Sequence, residues 1–314
     1  MKAAVINEFG AANVLQIREV PKPVAGPGQI LVEVHAASIN PIDWKMREGQ
    51  MAMRYGSDFP MILGWDVSGI VAESGEGVAG FKPGDAVFGR SDIGAGGCYA
   101  EYAVLNVATV VHKPAALSHS EAAAIPLVGL TALNGLQACA NLQAGQRVLI
   151  VGASGGVGTL AVQIAKNMGA EVTGACSHKN TALVTSLGAD KVVAYDRDDP
   201  LRSDKPYDIV YDAVGALRYD DARRALTERG TYLTLVPVPG IDFFIPGQTE
   251  WQPGRAYFVA WFPKADDLRV LADWVVAGCL RPVIDSAFSL DDIRAAHERS
   301  ETERAVGKIV VKVR

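Results

Sequence analysis

The stretch from Arg147 to Asn180, RVLIVGASGGVGTLAVQIAKNMGAEVTGACSHKN, constrains what this chain can fold into more than any other. Val148 to Val151 is an apolar, β-branched run too short for a helix, which reads as a buried strand. Ala153, Gly155, Gly156 and Gly158 follow at once, and then Leu160, Ile164 and Met168 recur at helical spacing before Gly169 stops the helix. A second strand is expected over Glu171 to Ala175. Strand, glycine turn, helix and strand within about thirty residues is the setting in which a glycine pattern becomes a dinucleotide-binding signal.

A diphosphate needs backbone N–H groups at close range and the positive end of a helix, and side chains at the turn would hold it away. The pattern read here is A-x-G-x-x-G with Ala153 in first place, so Ala153, Ser154, Gly155, Gly156, Val157 and Gly158 are the expected phosphate-binding residues. An NAD site usually carries an acid about twenty residues further on, to accept from the ribose hydroxyls. Here that place reads Cys176-Ser177-His178-Lys179-Asn180. A cation and a hydroxyl donor suit a 2′-phosphate, so Ser177 and Lys179 point to NADPH. Ser177 or Asn180 capping the next helix, with Lys179 in solvent, is the other reading of the same residues.

With 314 residues the chain is long enough for two domains. Thirty basic against 35 acidic residues leave a net charge of −5, which gives no general attraction to nucleic acid or to an anionic membrane surface. The start, MKAAVINEFG, has no secretory h-region, and the most apolar stretch, 122–140, is broken by Pro126, Gly129, Asn134 and Gln137. Cys98, Cys139, Cys176 and Cys279 lie far apart with no paired spacing, which fits a reducing, cytoplasmic setting.

Residues 1 to about 110 read as β-rich, with strands at Lys2 to Ile6 and Ile30 to Ala37 and turn signals at Pro21-Lys22-Pro23, Gly26-Pro27-Gly28 and Lys82-Pro83-Gly84-Asp85. That rhythm suggests a small barrel. Ser118 to Glu121 is an S-x-x-E helix start. From Arg147 to about Pro282 strands (Lys191 to Ala194, Asp208 to Tyr211, Thr231 to Val236) alternate with helices (Tyr219 to Thr227, Ala265 to Ala277), which argues for a doubly wound parallel sheet. A turn-rich insertion, Pro237 to Gly254, carries Phe243, Phe244 and Trp251 as a candidate apolar lining for a substrate. A last helix, Leu290 to Glu298, precedes a last strand, Gly307 to Val313.

Six stretches together resemble the medium-chain dehydrogenase/reductase superfamily over essentially the whole chain, and within it the zinc-free quinone oxidoreductase (zeta-crystallin-like) group. They are Ser38-Ile39-Asn40-Pro41-Ile42-Asp43-Trp44-Lys45, Gly64-Trp65-Asp66-Val67-Ser68-Gly69-Ile70-Val71, Lys82-Pro83-Gly84-Asp85-Ala86-Val87, Gly97-Cys98-Tyr99-Ala100-Glu101-Tyr102, the glycine unit and Leu187-Gly188-Ala189-Asp190. The resemblance implies an α/β chain with a GroES-like β-barrel domain on the substrate side (1–115), a Rossmann NADPH-binding domain (116–282) and a return segment (283–314) completing the barrel. It puts Asn40, Trp65 and Leu127 at the three catalytic-zinc ligand positions of the superfamily's alcohol dehydrogenases, where none of them can serve as those ligands do. No metal is therefore expected.

The resemblance further implies a nicotinamide in the cleft between the domains, near Asn40 and Thr131. Lys45 stands where relatives have a Tyr, and is either a proton donor to the substrate or a solvated lysine. Tyr195 matches a Tyr near the adenosine phosphate, the alternative being an aromatic plug at a strand end. Tyr55 belongs to a loop expected to border the substrate, or is a surface tyrosine. Asp43 reads as a structural hydrogen-bond partner, and Arg304 is also expected among the cofactor contacts. Asn40, Lys45 and Tyr55 are thus the candidate catalytic residues. His35, His112, His119, His178 and His297 show no metal-binding spacing. The reading is an NADPH-dependent, metal-free reductase of quinones or α,β-unsaturated carbonyls, with a low-turnover NADPH-binding protein acting through RNA or protein contacts as the alternative. A homodimer is expected, paired through an edge strand at 256–262.

Overall fold

The computed structural model describes residues 1–92, 94, 96–238, 241–244, 249–259 and 264–314, and the side chain of Tyr55 is outside that description. The chain divides into two compact units: Met1–Leu127 with Pro263–Gly278 and Pro282–Arg314, and Val128–Phe262 with Cys279–Arg281.

The first unit is β-rich. Its main sheet runs in the order Ile284–Ser289, Lys308–Lys312, Gln29–Ile39, Asp66–Ser74, Ala86–Arg90, Val110–His112, and Tyr102–Asn106 pairs with the long Gln29–Ile39 strand. Strands Gln16–Glu19, Lys2–Ile6 and Met61–Ile62 form a smaller sheet. The return of the C-terminus has a direct cause. Lys308–Lys312 pairs antiparallel with Gln29–Ile39, Ile309 opposite Ile39 and Val311 opposite Ala37. That register puts Ile309 and Val311 into the apolar core that holds Val32, Val34, Ile39, Leu63, Trp65 and Val67.

The second unit is a parallel sheet in the order Lys191–Ala194, Glu171–Cys176, Arg147–Val151, Tyr207–Asp212, Leu226–Thr234, Ala256–Val259, Asp242–Phe244. Counted in chain order from Arg147–Val151, the seven strands stand 3-2-1-4-5-7-6, a doubly wound arrangement whose strand order reverses between the first and fourth strands. Burial on both faces explains why Val148, Leu149 and Ile150 form an unbroken apolar run, each fully buried. Helix Gly156–Asn167 buries Leu160, Ala161, Val162, Ile164 and Ala165 and packs on strands Arg147–Val151 and Glu171–Cys176.

Several expectations need correction. The boundaries at 115 and 282 shift because helix His119–Ala123 with Ala124 buries Ala123 and Ala124 against Ala36 and Val310, and helix Ala265–Val276 packs on strand Val110–His112. Helical spacing shows that a helix forms, not which sheet it covers. The expected edge strand at 256–262 is not an edge over its described part. Ala256–Val259 lies between Leu226–Thr234 and Asp242–Phe244, and residues 260–262 lie outside the described residues. Phe243 and Phe244 of the expected lining lie on the outer strand of the sheet, edge-on to Phe258 and Tyr257. The apolar 122–140 stretch is broken into helix Pro126–Asn134 and a π-helical turn, Gly135–Cys139. No helix among the described residues is long and apolar enough to cross a membrane.

Candidate active site

The glycine turn is built from backbone demands. Gly152 has φ +76, and a Cβ there would meet Val214 Cγ1 at 2.6 Å. Gly152, not Ala153, is therefore the tight-turn glycine, one residue earlier than the sequence pattern placed it. Ala153 is fully buried, donates its N–H to Ala175 O (2.9 Å), and packs its methyl beside Gly174. Gly158 secures helix-to-strand contact, since a Cβ there would lie 2.1 Å from Gly152 O and 2.7 Å from Ala153 Cα. Gly155 is different. A Cβ on it would meet only Gly152 O, at 3.4 Å, so the protein's own packing does not require a glycine there. With Gly155 as N-cap, the N–H groups of Gly156, Val157 and Gly158 have no intrahelical acceptor and lie at the positive end of a twelve-residue helix. These residues fit a dinucleotide diphosphate.

Around the turn, Ser154 Oγ accepts from Asn180 Nδ2 (3.0 Å). Ser177 stands at the N-cap position of the His178–Asn180 turn without a side-chain capping bond, Lys179 is exposed, and Tyr195 is 50% exposed, which rules out a buried plug. Sequence reading missed Asp196, whose Oδ1 accepts from His178 N (2.9 Å) and puts a carboxylate beside the Ser177–Lys179 segment. It missed Asp212 too. That buried carboxylate, at the end of the fourth strand, accepts from Val214 N, Gly215 N, Leu217 N and Tyr232 Oη and so shapes the loop facing the glycine turn across the strand-order reversal. Thr131, half-buried in helix Pro126–Asn134, gives its carbonyl to Tyr211 Oη (3.0 Å).

The first unit carries a buried polar string. Strand Gln29–Ile39 ends at Asn40, and Pro41 at the first helical position begins helix Pro41–Arg47. Asp43 reaches back so that its Oδ2 accepts from Asn40 N (2.7 Å) and from Tyr99 Oη (2.7 Å), while its Oδ1 has no partner. Burial pushes the Asp43 carboxyl up to about 7. Asn40 Nδ2 donates to Asp66 Oδ2 (2.9 Å), which also takes Ser38 Oγ (2.7 Å), and Leu127 N donates to Asp66 Oδ1 (2.8 Å). Lys308 Nζ donates to Asn40 Oδ1 (2.6 Å) and Ile39 O (2.7 Å), 3.6 Å from Asp66 Oδ2. Beyond Tyr99 the string continues through His297, edge-on to the Tyr99 ring at 5.7 Å, to the fully buried Arg47, which pairs with Glu301 (2.6 Å) and Glu48 (3.1 Å). Burial, then the Arg47 charge, pushes His297 down to about 3.

Other expected site residues fall as follows. Lys45 is half-buried, its Nζ 5.3 Å from the Trp44 ring centroid. Tyr55 ends the short helix Ala52–Tyr55. Arg304 is exposed and gives its carbonyl to Arg299 Nη2 (3.1 Å). Asp66, Lys308 and Tyr99 went unassigned in the sequence. The one available signal was Lys308 itself, a lysine sharing a strand face with the buried Val310, opposite the end of the Asn40 strand.

Residues 26–115 match the family model "Alcohol dehydrogenase GroES-like domain" and residues 187–311 match "Zinc-binding dehydrogenase". A bovine protein named NAD(P)H oxidoreductase RTN4IP1, mitochondrial, is 36% identical over 100% of this chain and 89% of its own length. The chain belongs to the medium-chain dehydrogenase/reductase superfamily. Its fold is that of this oxidoreductase superfamily, a GroES-like domain joined to a Rossmann domain. The quinone oxidoreductase from Coxiella burnetii superposes with TM-score 0.88 at 35% identity, covering 100% of this chain and 99% of that one. A tomato 2-methylene-furan-3-one reductase is 33% identical over 99% of this chain and 79% of its own length.

The zinc implied by the second family model does not fit the residues present. Of the three positions that the resemblance sets at zinc ligands, Asn40 donates to Asp66 through its side chain and Leu127 through its backbone N–H. An amide, an indole and an isobutyl group offer no thiolate or imidazole, and the Lys308 ammonium stands against the Asn40 oxygen. Among the described residues no group of three His, Cys, Asp or Glu side chains could hold a metal ion.

Proposed function

We propose that this chain is an NADPH-dependent reductase that reduces quinones or α,β-unsaturated carbonyls with no metal at the reacting centre. The observation that carries this reading is the donor set around Asp66, which offers hydrogen bonds and a fixed ammonium where metal-dependent relatives need anionic or imidazole ligands. Ionising an alcohol at neutral pH calls for a Lewis acid. Reducing an electrophilic enone or quinone calls mainly for positioning and for a donor at the oxygen that gains charge.

Bound NADPH would supply the hydride. Gly156, Val157 and Gly158 would bind its diphosphate through their N–H groups, and Ser177 and Lys179 its 2′-phosphate, with Tyr195 against the adenosine. Asp196 opposes a 2′-phosphate, so the preference for NADPH would rest on Lys179 outweighing it. Asn40 would donate to the acceptor's carbonyl oxygen, and Lys45 would deliver the proton. Relatives named as a quinone oxidoreductase and as an enone reductase support both acceptor classes. The buried thiols Cys98, Cys139 and Cys176, none in a disulfide, support a reducing compartment. A homodimer would pair through the outer Asp242–Phe244 strand, whose Phe243 is exposed.

The deciding experiment is NADPH oxidation with a panel of quinones, enals and enones, with and without a chelator. Acceptor-dependent turnover untouched by the chelator is expected. Tight NADPH binding without turnover would instead support a cofactor-binding protein, and chelator-sensitive alcohol oxidation would overturn the metal-free reading.

A further inference from the structure

We propose that Lys308 is the positioning residue for Asn40, locking its amide so that an Nδ2–H donor is left for a ligand. The inference rests on the proposed role of Asn40 and adds the residue through which that role is set.

Asn40 is fully buried, and its amide could in principle sit either way round. An ammonium can only donate, so the Lys308 contact at 2.6 Å must be to the carbonyl oxygen. A carboxylate can only accept, so the Asp66 contact at 2.9 Å must be to the NH₂ group. Both ends of the amide are thereby read, and a rotation by half a turn would put oxygen on oxygen and N–H on ammonium. Lys308 spends its remaining donors on Ile39 O (2.7 Å) and on the ion pair with Asp66 (3.6 Å). Asn40 keeps one Nδ2–H with no acceptor among the described residues.

That remaining N–H suits a carbonyl oxygen that gains negative charge, whereas the reversed amide would present a lone pair to it. The lysine's donors are occupied by Asn40, Ile39 O and Asp66, so it acts through Asn40 and not on the substrate. The pairing also explains a costly feature. A buried ion pair of this kind contributes little net stability, but it selects one arrangement over its competitors. The strand register fixes the pair, since Ile309 lies opposite Ile39 and Lys308 therefore stands level with Asn40.

The test uses the full chain, ¹⁵N-labelled at asparagine, with Lys308→Met, Lys308→Arg, Asn40→Ala and the Lys308→Met/Asp66→Asn pair, the last removing both charges should the single change fail to fold. In the unmodified protein the Asn40 side-chain amide, identified by its loss in Asn40→Ala, should give two widely separated, slowly exchanging proton signals. Lys308→Met and the charge-free pair should collapse that separation, and Lys308→Arg should retain most of it. In turnover, Lys308→Met should lower kcat about tenfold to a hundredfold, the range of losing one aligned donor, with the NADPH Kd within about threefold. Adding it to Asn40→Ala should cost nothing further. An unchanged amide signal in both Lys308→Met and the charge-free pair would overturn the proposal, as would kinetic effects that multiply in the double variant. Absence of any acceptor reduction by the unmodified protein would defeat the reading of function, while the amide signals would still decide the role of Lys308.

Discussion

The glycine turn of the second unit and the polar string of the first solve opposite problems. The turn works by backbone. It clears side chains away, leaves N–H groups of Gly156, Val157 and Gly158 unspent, and uses residues contiguous in sequence. The string works by side chains. It runs Lys308, Asp66, Asn40, Asp43, Tyr99, His297, Arg47, Glu301, and it joins residues up to 268 positions apart in the chain. A site for a shared ligand feature can be written locally, whereas a site that tells one reaction from another is assembled from distant residues, each satisfied by its neighbours.

Breaking the string should have the largest effect. Arg47 is fully buried and pairs with Glu301 and Glu48 and with Gly10 O, so Arg47→Met should cost about 3 kcal/mol by removing these charged hydrogen bonds. A urea titration checks this, and the second unit's parallel sheet predicts that NADPH binding survives in the fraction that remains folded.

The turn offers a sharper contrast between two glycines. Gly158→Ala pushes a methyl onto backbone atoms at 2.1 and 2.7 Å, and should lower both stability and NADPH affinity, the latter about a hundredfold, or about 2.7 kcal/mol. Gly155→Ala meets nothing closer than 3.4 Å and should leave the melting temperature nearly unchanged while still weakening NADPH. Fluorescence titration beside thermal melts separates the two. Equal stability losses would show that Gly155 is a packing glycine as well.

Two groups of the string should oppose each other in pH dependence. Asp43 titrates near 7 in the fold against 3.8 when unfolded, so the unfolded chain binds fewer protons between those values and stability falls as pH rises from 3.8 to about 7. His297 is held to about 3 against 6.5, so stability falls as pH drops from 6.5 to about 3. Between 3.8 and 6.5 the two slopes, each about 1.4 kcal/mol per pH unit at full strength, cancel. Asp43→Asn should therefore expose a loss of stability toward acid, and His297→Asn a loss toward neutral pH. Denaturant midpoints at half-unit intervals from pH 4 to 7.5 check this, and parallel profiles for all three proteins would refute it.

The smallest effect expected is at the surface of the second unit. Lys179→Ala should narrow the proposed NADPH-over-NADH preference about tenfold, or about 1.4 kcal/mol. Asp196→Asn should widen it, because that change removes a carboxylate beside the same segment. Titrations with both coenzymes measure the two ratios.

The sequence by itself marked the inner strands and the glycine turn of the second unit, although its bounds of 116 and 282 overran the observed Val128–Phe262. A parallel sheet buried on both faces writes apolar runs such as Val148–Val151, and a diphosphate turn writes glycines, so both leave contiguous marks. Even there it placed the turn glycine at Ala153 in place of Gly152, because φ is a property of the folded backbone and both residues are small. The candidate residues Asn40 and Lys45 were suggested only by resemblance, and Asp66 and Lys308 were not legible as a pair. Their meeting depends on strand Lys308–Lys312 choosing the edge of Gln29–Ile39 in one register, and nothing in either segment names its partner. Tertiary structure decided that pairing because burying Ile309 and Val311 brings Lys308 with them, and a buried ammonium must then be met by Asn40 and Asp66.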